Sequence, residues 1–309
     1  EVTALFPSPY FHMGMDEVEQ IGFCPRCRPK AATFEGEQEL FLNAVLKSAG
    51  ILRKLGKRPM LWDDMFDNYP DLLPRLPKDL IMVDWQYQRD ASRSLAHFMN
   101  LKVENNLERL EALGFEYLIA PNLSVANICS FTEFAQKYHP MGALLTSWEK
   151  GLKFQECTLP NFVYAGHLWH GASHSQALRN AVCEIFACQE ESFNAAAGLM
   201  LETSAVLPAD QINVTPTREF FGRNPANEAI CRMLSATLTQ NGHLAGGKWG
   251  QRVLKECIAS LRCRHLQFRL DRLFDEAANS GWRTQYNDEL EKILVELHDI
   301  RQERCDTWT

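Results

Sequence analysis

The chain has 309 residues, of which 46% are hydrophobic, enough to bury the core of one large domain or of two smaller ones. Charged residues make up 23% and the formal net charge is -7, which excludes the basic surface that wholesale nucleic-acid binding requires. No run approaches the roughly 18 uninterrupted apolar residues of a membrane-spanning helix. Neither a nucleic acid nor a membrane is therefore an expected partner.

Elements are legible in chain order. Leu5–Phe11 reads as a strand, and it stops at the block His12-Met13-Gly14-Met15-Asp16-Glu17-Val18. An imidazole, a glycine and two adjacent carboxylates at the end of an apolar run are the chain's strongest candidates for acid/base chemistry. Glu37–Leu55 has apolar residues at helical spacing and is closed by Gly56. Arg58–Trp62 and Leu80–Trp85 read as strands, Val103–Leu113 as a helix, Phe115–Ala120 as a strand and Phe131–Tyr138 as a short helix. Gly142–Trp148 is a further strand, and Phe162–Trp169 begins a closing helix.

Strands alternating with helices indicate βα units and a parallel sheet. Polar and aromatic groups recur where the apolar runs end: Asp16/Glu17, Trp62-Asp63-Asp64, Trp85-Gln86-Tyr87, Pro121-Asn122 and Trp148-Glu149. That is the face on which a (β/α)8 barrel carries its active site. Repeated tryptophans suit a sugar, whose apolar face an aromatic ring covers while carboxylates and amides take the hydroxyls. Only five strand candidates precede residue 170, so the fold expected is α/β, a partial (β/α)8 TIM barrel. From about Ser175 helices take over: Ser175–Leu201, Ala226–Gln240, Val253–Ala278 and Asn287–Glu303. The expected division is residues 1–174 for the barrel portion and 175–309 for a helical C-terminal region. Arg262, Arg264, Arg269 and Arg272 read as a solvated helix face.

The ten cysteines include Cys183 and Cys231 in apolar helix-like stretches, where a thiol serves as a small buried hydrophobe. With no signal pattern over residues 1–10, a reducing, cytoplasmic setting is favoured. Cys24-Pro25-Arg26-Cys27 is open to three readings: structural thiols, half of a zinc site, or a redox pair. His167, His170 and His174 suggest a metal cluster by their crowding. Without an accompanying acidic ligand they read as core or helix-surface histidines, and no metal or organic cofactor is expected.

The block His12-Met13-Gly14-Met15-Asp16-Glu17 resembles the His-x-Gly-Gly-Asp-Glu motif of glycoside hydrolase family 20, the β-N-acetylhexosaminidases, at the end of the family's fourth barrel strand. Met60-Leu61-Trp62-Asp63-Asp64-Met65, Val83-Asp84-Trp85-Gln86 and Thr146-Ser147-Trp148-Glu149 resemble the aromatic-bearing ends of its later strands. The resemblance covers roughly residues 5–170, and the helical tail is similar to that of the hexosaminidase D type branch. It implies a barrel entered near its fourth strand, with earlier strands and the family's first-strand arginine outside this sequence. Met15 replaces the motif's second glycine, which is tolerable if its backbone does not need positive φ.

The resemblance implies an exo-acting β-N-acetylhexosaminidase that removes terminal GlcNAc or GalNAc by a substrate-assisted retaining mechanism, its partner being an N-acetylhexosamine-containing glycan or glycoconjugate. Glu17 would be the general acid and then base, and Asp16 would hold the acetamido N–H and stabilise the oxazolinium-like intermediate. His12 would position a carboxylate at the substrate site. Trp62, Trp85 and Trp148 would wall the sugar, and Asp63, Asp64 and Glu149 would bind hydroxyls, with capping or surface roles nearly as suitable for Asp64. Asn122 would offer an amide donor where the family has a tyrosine, Tyr117 lying too early in its strand. The alternatives are a non-catalytic glycan-binding or structural barrel fragment, and an enzyme acting on another glycoside. A homo-oligomer is compatible with all three.

Overall fold

The computed structural model describes residues 2–93, 105–147, 159–186, 247–281 and 283–308. The chain divides into two compact units, Glu1–Asn122 with Asn127–Thr146, and Leu123–Ala126 with Ser147–Thr309.

The first unit is built on five parallel strands paired in sequence order: β1 (Tyr10–His12), β2 (Arg58–Trp62), β3 (Ile81–Gln86), β4 (Glu116–Pro121) and β5 (Gly142–Ala143). The helices between them are α1 (Phe34–Lys54), the short α2 (Met65–Asn68), α3 (Asn106–Ala112) and α4 (Val125–Ala135). Parallel strands demand such crossovers, because a tight turn cannot return the chain to the same end of the sheet. The sheet is open and curled, a partial (β/α)8 barrel followed by a helical C-terminal module.

Strand parity sorts the core into two faces. Leu61, Met82, Tyr117 and Ile119 point outward and pack with Phe41, Val45, Phe66, Leu107, Leu110 and Phe131 of the helices. Met60, Ile81, Val83, Trp85 and Ala120 point the other way, joined by Trp62 and Leu118. On the outer face α1 buries Phe41, Leu42, Val45, Ala49 and Leu52, and each fully buried large side chain contributes about 1.5–3 kcal/mol. Its start is fixed by Thr33, whose side chain accepts from the Gly36 N–H at 3.1 Å.

In the first unit three expectations shift most. The strand expected over Leu5–Phe11 is confined to Tyr10–His12, with Val2–Leu5 forming a 3-10 turn. Pro7 and Pro9 have no N–H for a ladder, and Leu5 and Phe6 are left exposed. The helix expected over Phe131–Tyr138 runs instead over Val125–Ala135. Its start is masked in the sequence by polar Asn127, which is buried and accepts from the Asn122 N–H at 2.8 Å. The strand expected over Gly142–Trp148 pairs only at Gly142–Ala143. Leu144 and Thr146 still donate to the Ile119 and Pro121 carbonyls at 2.8 and 3.0 Å.

The second unit is helical among its described residues: α5 (Leu159–Trp169), α6 (His174–Phe186), α7 (Gly247–Ser280) and α8 (Thr284–Trp308). The helix expected over Ser175–Leu201 is described as far as Phe186, and that over Ala226–Gln240 lies outside the described residues. α8 buries Tyr286, Ile293 and Ile300, one residue per heptad, and the two isoleucines join a core with Ala259, Cys263 and Leu266 of α7. Arg262 and Arg269 are not merely a solvated face. Arg262 pairs with Glu303, and Arg269 with Glu289 and Glu296, so both tie α7 to α8. Arg272 is exposed, as expected for a solvated face. The histidines have separate partners: His167 the Glu184 carboxylate, His170 the Gly166 carbonyl, His174 the Tyr164 hydroxyl. Among the described residues no helix is long and apolar enough to cross a membrane.

Candidate active site

The site grows out of the end of β1. Past the last paired residue of the strand, the Met13 N–H donates to Met60 O at 2.8 Å and the Trp62 N–H to Gly14 O at 3.1 Å. The chain then turns sharply: φ is +74° at Gly14, +78° at Met15 and +46° at Glu17. Met15 thus does occupy the left-handed region, where glycine is at home and another residue costs about 1–2 kcal/mol. Its side chain packs on the outer core beside Met13, Val18 and Ile21, which offsets part of that cost.

What holds the turn is Asp64. Its Oδ2 accepts the Glu17 N–H at 2.9 Å, and the next N–H, of Val18, donates to Met65 Sδ at 3.2 Å. A hydrogen bond to a charged group is worth about 1.5–3 kcal/mol, enough to offset the left-handed φ at Glu17. Asp64 is wholly buried and stands at the N-cap position of α2, but its side chain makes no capping hydrogen bond and turns to the loop instead. The Trp85 side chain also hydrogen-bonds this carboxylate. Burial pushes the Asp64 carboxyl up to about 7 and the Asp16 charge adds to the push, while the Glu17 N–H and Trp85 oppose it.

His12 stands beside this loop. Its Nδ1 accepts the Gly14 N–H at 3.1 Å, so the neutral ring carries its proton on Nε2. Nε2 is buried and has no partner among the described residues, leaving an N–H available to a bound polar group. Burial lowers the His12 pKa to about 4 against the pull of Asp16, so the ring is neutral at physiological pH. It touches Asp16 through charge, and the hydrogen bond described for it goes to its own loop. The His12 ring lies 4.5 Å from the Trp62 ring, tilted by 53°. Trp85 packs on Tyr87 with ring centroids 4.9 Å apart. Asp16 is half-buried and Glu17 is exposed.

The structure therefore brings together His12, Asp16, Glu17, Trp62, Asp64 and Trp85. Asp63 and Asn122 are placed differently. Asp63 is wholly buried on the outer side of the strand, where the charges of Asp84, Asp67 and Arg109 reach it, and neither of its oxygens has a described partner. Burial first, and then Asp84, push its carboxyl far above the usual range. Asn122 is buried and spends an amide N–H on the Tyr87 carbonyl at 3.2 Å, which ties the ends of β3 and β4 together. Tyr117 faces the helices and donates to Glu111 at 2.7 Å. Trp148 and Glu149 lie outside the described residues. Tyr87 is a further contributor with a weak sequence signal. It has the strand parity of Trp85, as Asp64 has that of Trp62, so each shares the inner face of its strand.

Residues 1–103, about the first third of the chain, match the family model described as glycosyl hydrolase family 20, catalytic domain. That stretch carries the His12–Glu17 loop, Trp62, Asp64 and Trp85. A comparison with curated proteins finds no match.

Proposed function

We propose that the protein is an exo-acting β-N-acetylhexosaminidase, similar to the hexosaminidase D type, that releases terminal GlcNAc or GalNAc from a glycan by a substrate-assisted retaining mechanism. The observation that carries this reading is the Asp16–Glu17 pair on a strand-end turn pinned by the buried Asp64 carboxylate, beside the rings of His12, Trp62 and Trp85. The family match over the same residues supports it.

In this reading the exposed Glu17 side chain protonates the glycosidic oxygen as the bond to the anomeric carbon breaks. The acetamido carbonyl oxygen of the same sugar attacks that carbon, so the enzyme needs no nucleophilic carboxylate of its own. Asp16 accepts the acetamido N–H and offsets the positive charge that develops on the ring being formed. Glu17, now a carboxylate, takes a proton from water, which opens the intermediate and restores the original anomeric configuration. Trp62 and Trp85 cover the apolar face of the sugar, and the His12 Nε2–H is a donor for a substrate oxygen. No metal or organic cofactor enters the sequence of steps. The scarcity of disulfide-scaffold features in so long a chain favours cytoplasmic action.

The test is hydrolysis of matched aryl glycosides by the full chain. N-acetylglucosaminide or N-acetylgalactosaminide should be cleaved, with release of the β-anomer first, and the unacetylated glucoside should not. Equal cleavage of acetylated and unacetylated sugars would replace this mechanism with an enzyme-nucleophile one. Cleavage of none, with the sugar still bound, would identify a glycan-binding barrel.

A further inference from the structure

The segment that joins Glu17 to α1 carries Cys24-Pro25-Arg26-Cys27, which the proposed glycosidase chemistry does not use. We propose that Cys24 and Cys27 form a redox-active dithiol site that closes reversibly to an intramolecular disulfide by exchange with small-molecule disulfides.

The geometry is prepared before any oxidation. The Cys24 carbonyl accepts from the Cys27 N–H at 3.1 Å and the Arg28 N–H at 2.9 Å. The first of these bonds closes a four-residue turn, which keeps the two α-carbons within about 7 Å, the outer reach of a disulfide. Pro25 stands at the second position of that turn, where its fixed φ fits. On the far side, Lys30 and Ala31 donate to the Cys27 carbonyl at 2.9 and 3.0 Å. Gly22, at φ +81°, lies so close to Ala31 that any side chain there would clash, so the segment is folded back on itself as well as turned.

The two sulfurs are not equivalent. Cys24 is exposed and Cys27 half-buried. The Cys27 N–H points at Cys24 Sγ, 3.3 Å away, and the Cys27 thiol donates to the same sulfur. The Arg28 guanidinium, held by the Phe23 carbonyl at 3.1 Å, adds positive charge nearby. These contacts, the Cys27 thiol first, hold the Cys24 thiol below its usual pKa, and the same contact together with burial holds Cys27 above. Cys24 is thus arranged as the attacking thiolate and Cys27 as the resolving thiol. A zinc site is the weaker reading, because it takes four ligands and among the described residues no cluster of three or more His, Cys, Asp or Glu is placed to hold a metal.

The exchange balances as two displacements. The Cys24 thiolate attacks one sulfur of a disulfide RSSR, forming a mixed disulfide and releasing RS⁻. The Cys27 thiol loses its proton to solvent and attacks the Cys24 sulfur. The Cys24–Cys27 bond forms and the second RS⁻ leaves. Two electrons pass from the dithiol to RSSR, and a reducing thiol reverses both steps.

The experiment equilibrates the full chain with a graded series of glutathione and glutathione disulfide, quenches with acid, alkylates, and maps the chymotryptic peptide spanning residues 24–34, since trypsin would cut at Arg26. The expected result is conversion of that peptide from doubly alkylated to a form lacking two hydrogens and refusing the alkylating agent, restored by excess reduced glutathione. Cys27→Ser should accumulate the glutathione mixed disulfide on Cys24, and Cys24→Ser should react several-fold more slowly at Cys27. Full alkylation of the peptide across the series would overturn the proposal, as would equal rates in the two variants. Protection of both thiols by one equivalent of added zinc would overturn it in favour of a metal site.

Discussion

Asp63 and Asp64 are adjacent in sequence, both wholly buried, and they live in opposite halves of the unit's chemistry. Asp64 faces inward, accepts the Glu17 N–H and meets Trp85. Asp63 faces the helices, among Asp84, Asp67 and Arg109. Asp84 there takes Asn106 and Gln86 amides at 3.3 and 3.2 Å, and Arg109 reaches Asp67 at 2.7 Å, Asn106 at 3.0 Å and the Phe66 carbonyl. One face of the strand ends shapes a loop with acid/base groups, and the other is a buried polar layer that joins sheet to helices. A single step along a strand decides which role a carboxylate takes, because the side-chain period is two.

If that division is right, the two faces can be separated by substitution. The largest effect should come from Arg109→Leu, which leaves the buried Asp67 carboxylate without its cation. Breaking such a pair from one side costs about 3–5 kcal/mol. Denaturant unfolding should show that loss, while turnover per folded molecule stays near wild type. Asp64→Leu should do the reverse. It removes the acceptor for the Glu17 N–H, so kcat for an N-acetylhexosaminide should fall at least about tenfold, the worth of one hydrogen bond to a charged group. Stability should fall by less than in Arg109→Leu, because the lost hydrogen bond, about 1.5–3 kcal/mol, is partly offset by exchanging a buried carboxylate with a raised pKa for an apolar side chain of similar size.

A smaller effect is expected from Asp63→Asn, seen in the pH dependence of stability. Asp63 and Asp84 titrate higher folded than unfolded, so the folded state holds more protons over that interval and stability falls as pH rises. For Asp84 that contribution is complete below the unfolded value of about 4 and is lost as pH rises through about 7; for Asp63 it is lost as pH rises through a folded value well above the usual carboxylate range. Asp63→Asn stays neutral, so its melting temperature should decline less than the wild type's as pH rises. A decline as steep as the wild type's, or steeper, would mean that Asp63 is ionised in the folded protein. Smallest of all should be Met15→Gly. It relieves about 1–2 kcal/mol of left-handed strain but gives up packing and adds chain entropy of about 0.5–1 kcal/mol. A loss well beyond 1 kcal/mol in a thermal melt would show that the Met15 side chain, not its backbone, governs the turn.

Much of this arrangement is legible in the sequence. Arg58–Trp62 reads as a strand and is one, with unchanged ends, because it is short, apolar and bounded by Gly56 and Asp63. The βα alternation yields the parallel sheet, and the run-stopping carboxylates mark the strand ends. The ends of β1 and β5 are less legible, since pairing there depends on ladder bonds from a neighbouring strand and not on local pattern. Asp63 and Asp64 show the deeper limit. Composition makes them interchangeable, and only counting parity from Trp62 separates the one beside the loop from the one beneath the helices. Nothing local announces that Asp64 would bond a residue 47 positions earlier. Likewise, a methionine at position 15 gives no sign that its φ is positive, because that value is imposed by the turn between Gly14 and the Asp64 contact.

The most direct measurement compares the full wild-type chain with Glu17→Gln on an aryl N-acetylhexosaminide, with folding followed by circular dichroism. Glu17 is exposed, so the substitution should leave the spectrum and melting temperature unchanged. The account predicts a fall in hydrolysis of roughly a hundredfold or more, as expected when a general acid is removed. Hydrolysis undiminished in Glu17→Gln would contradict it.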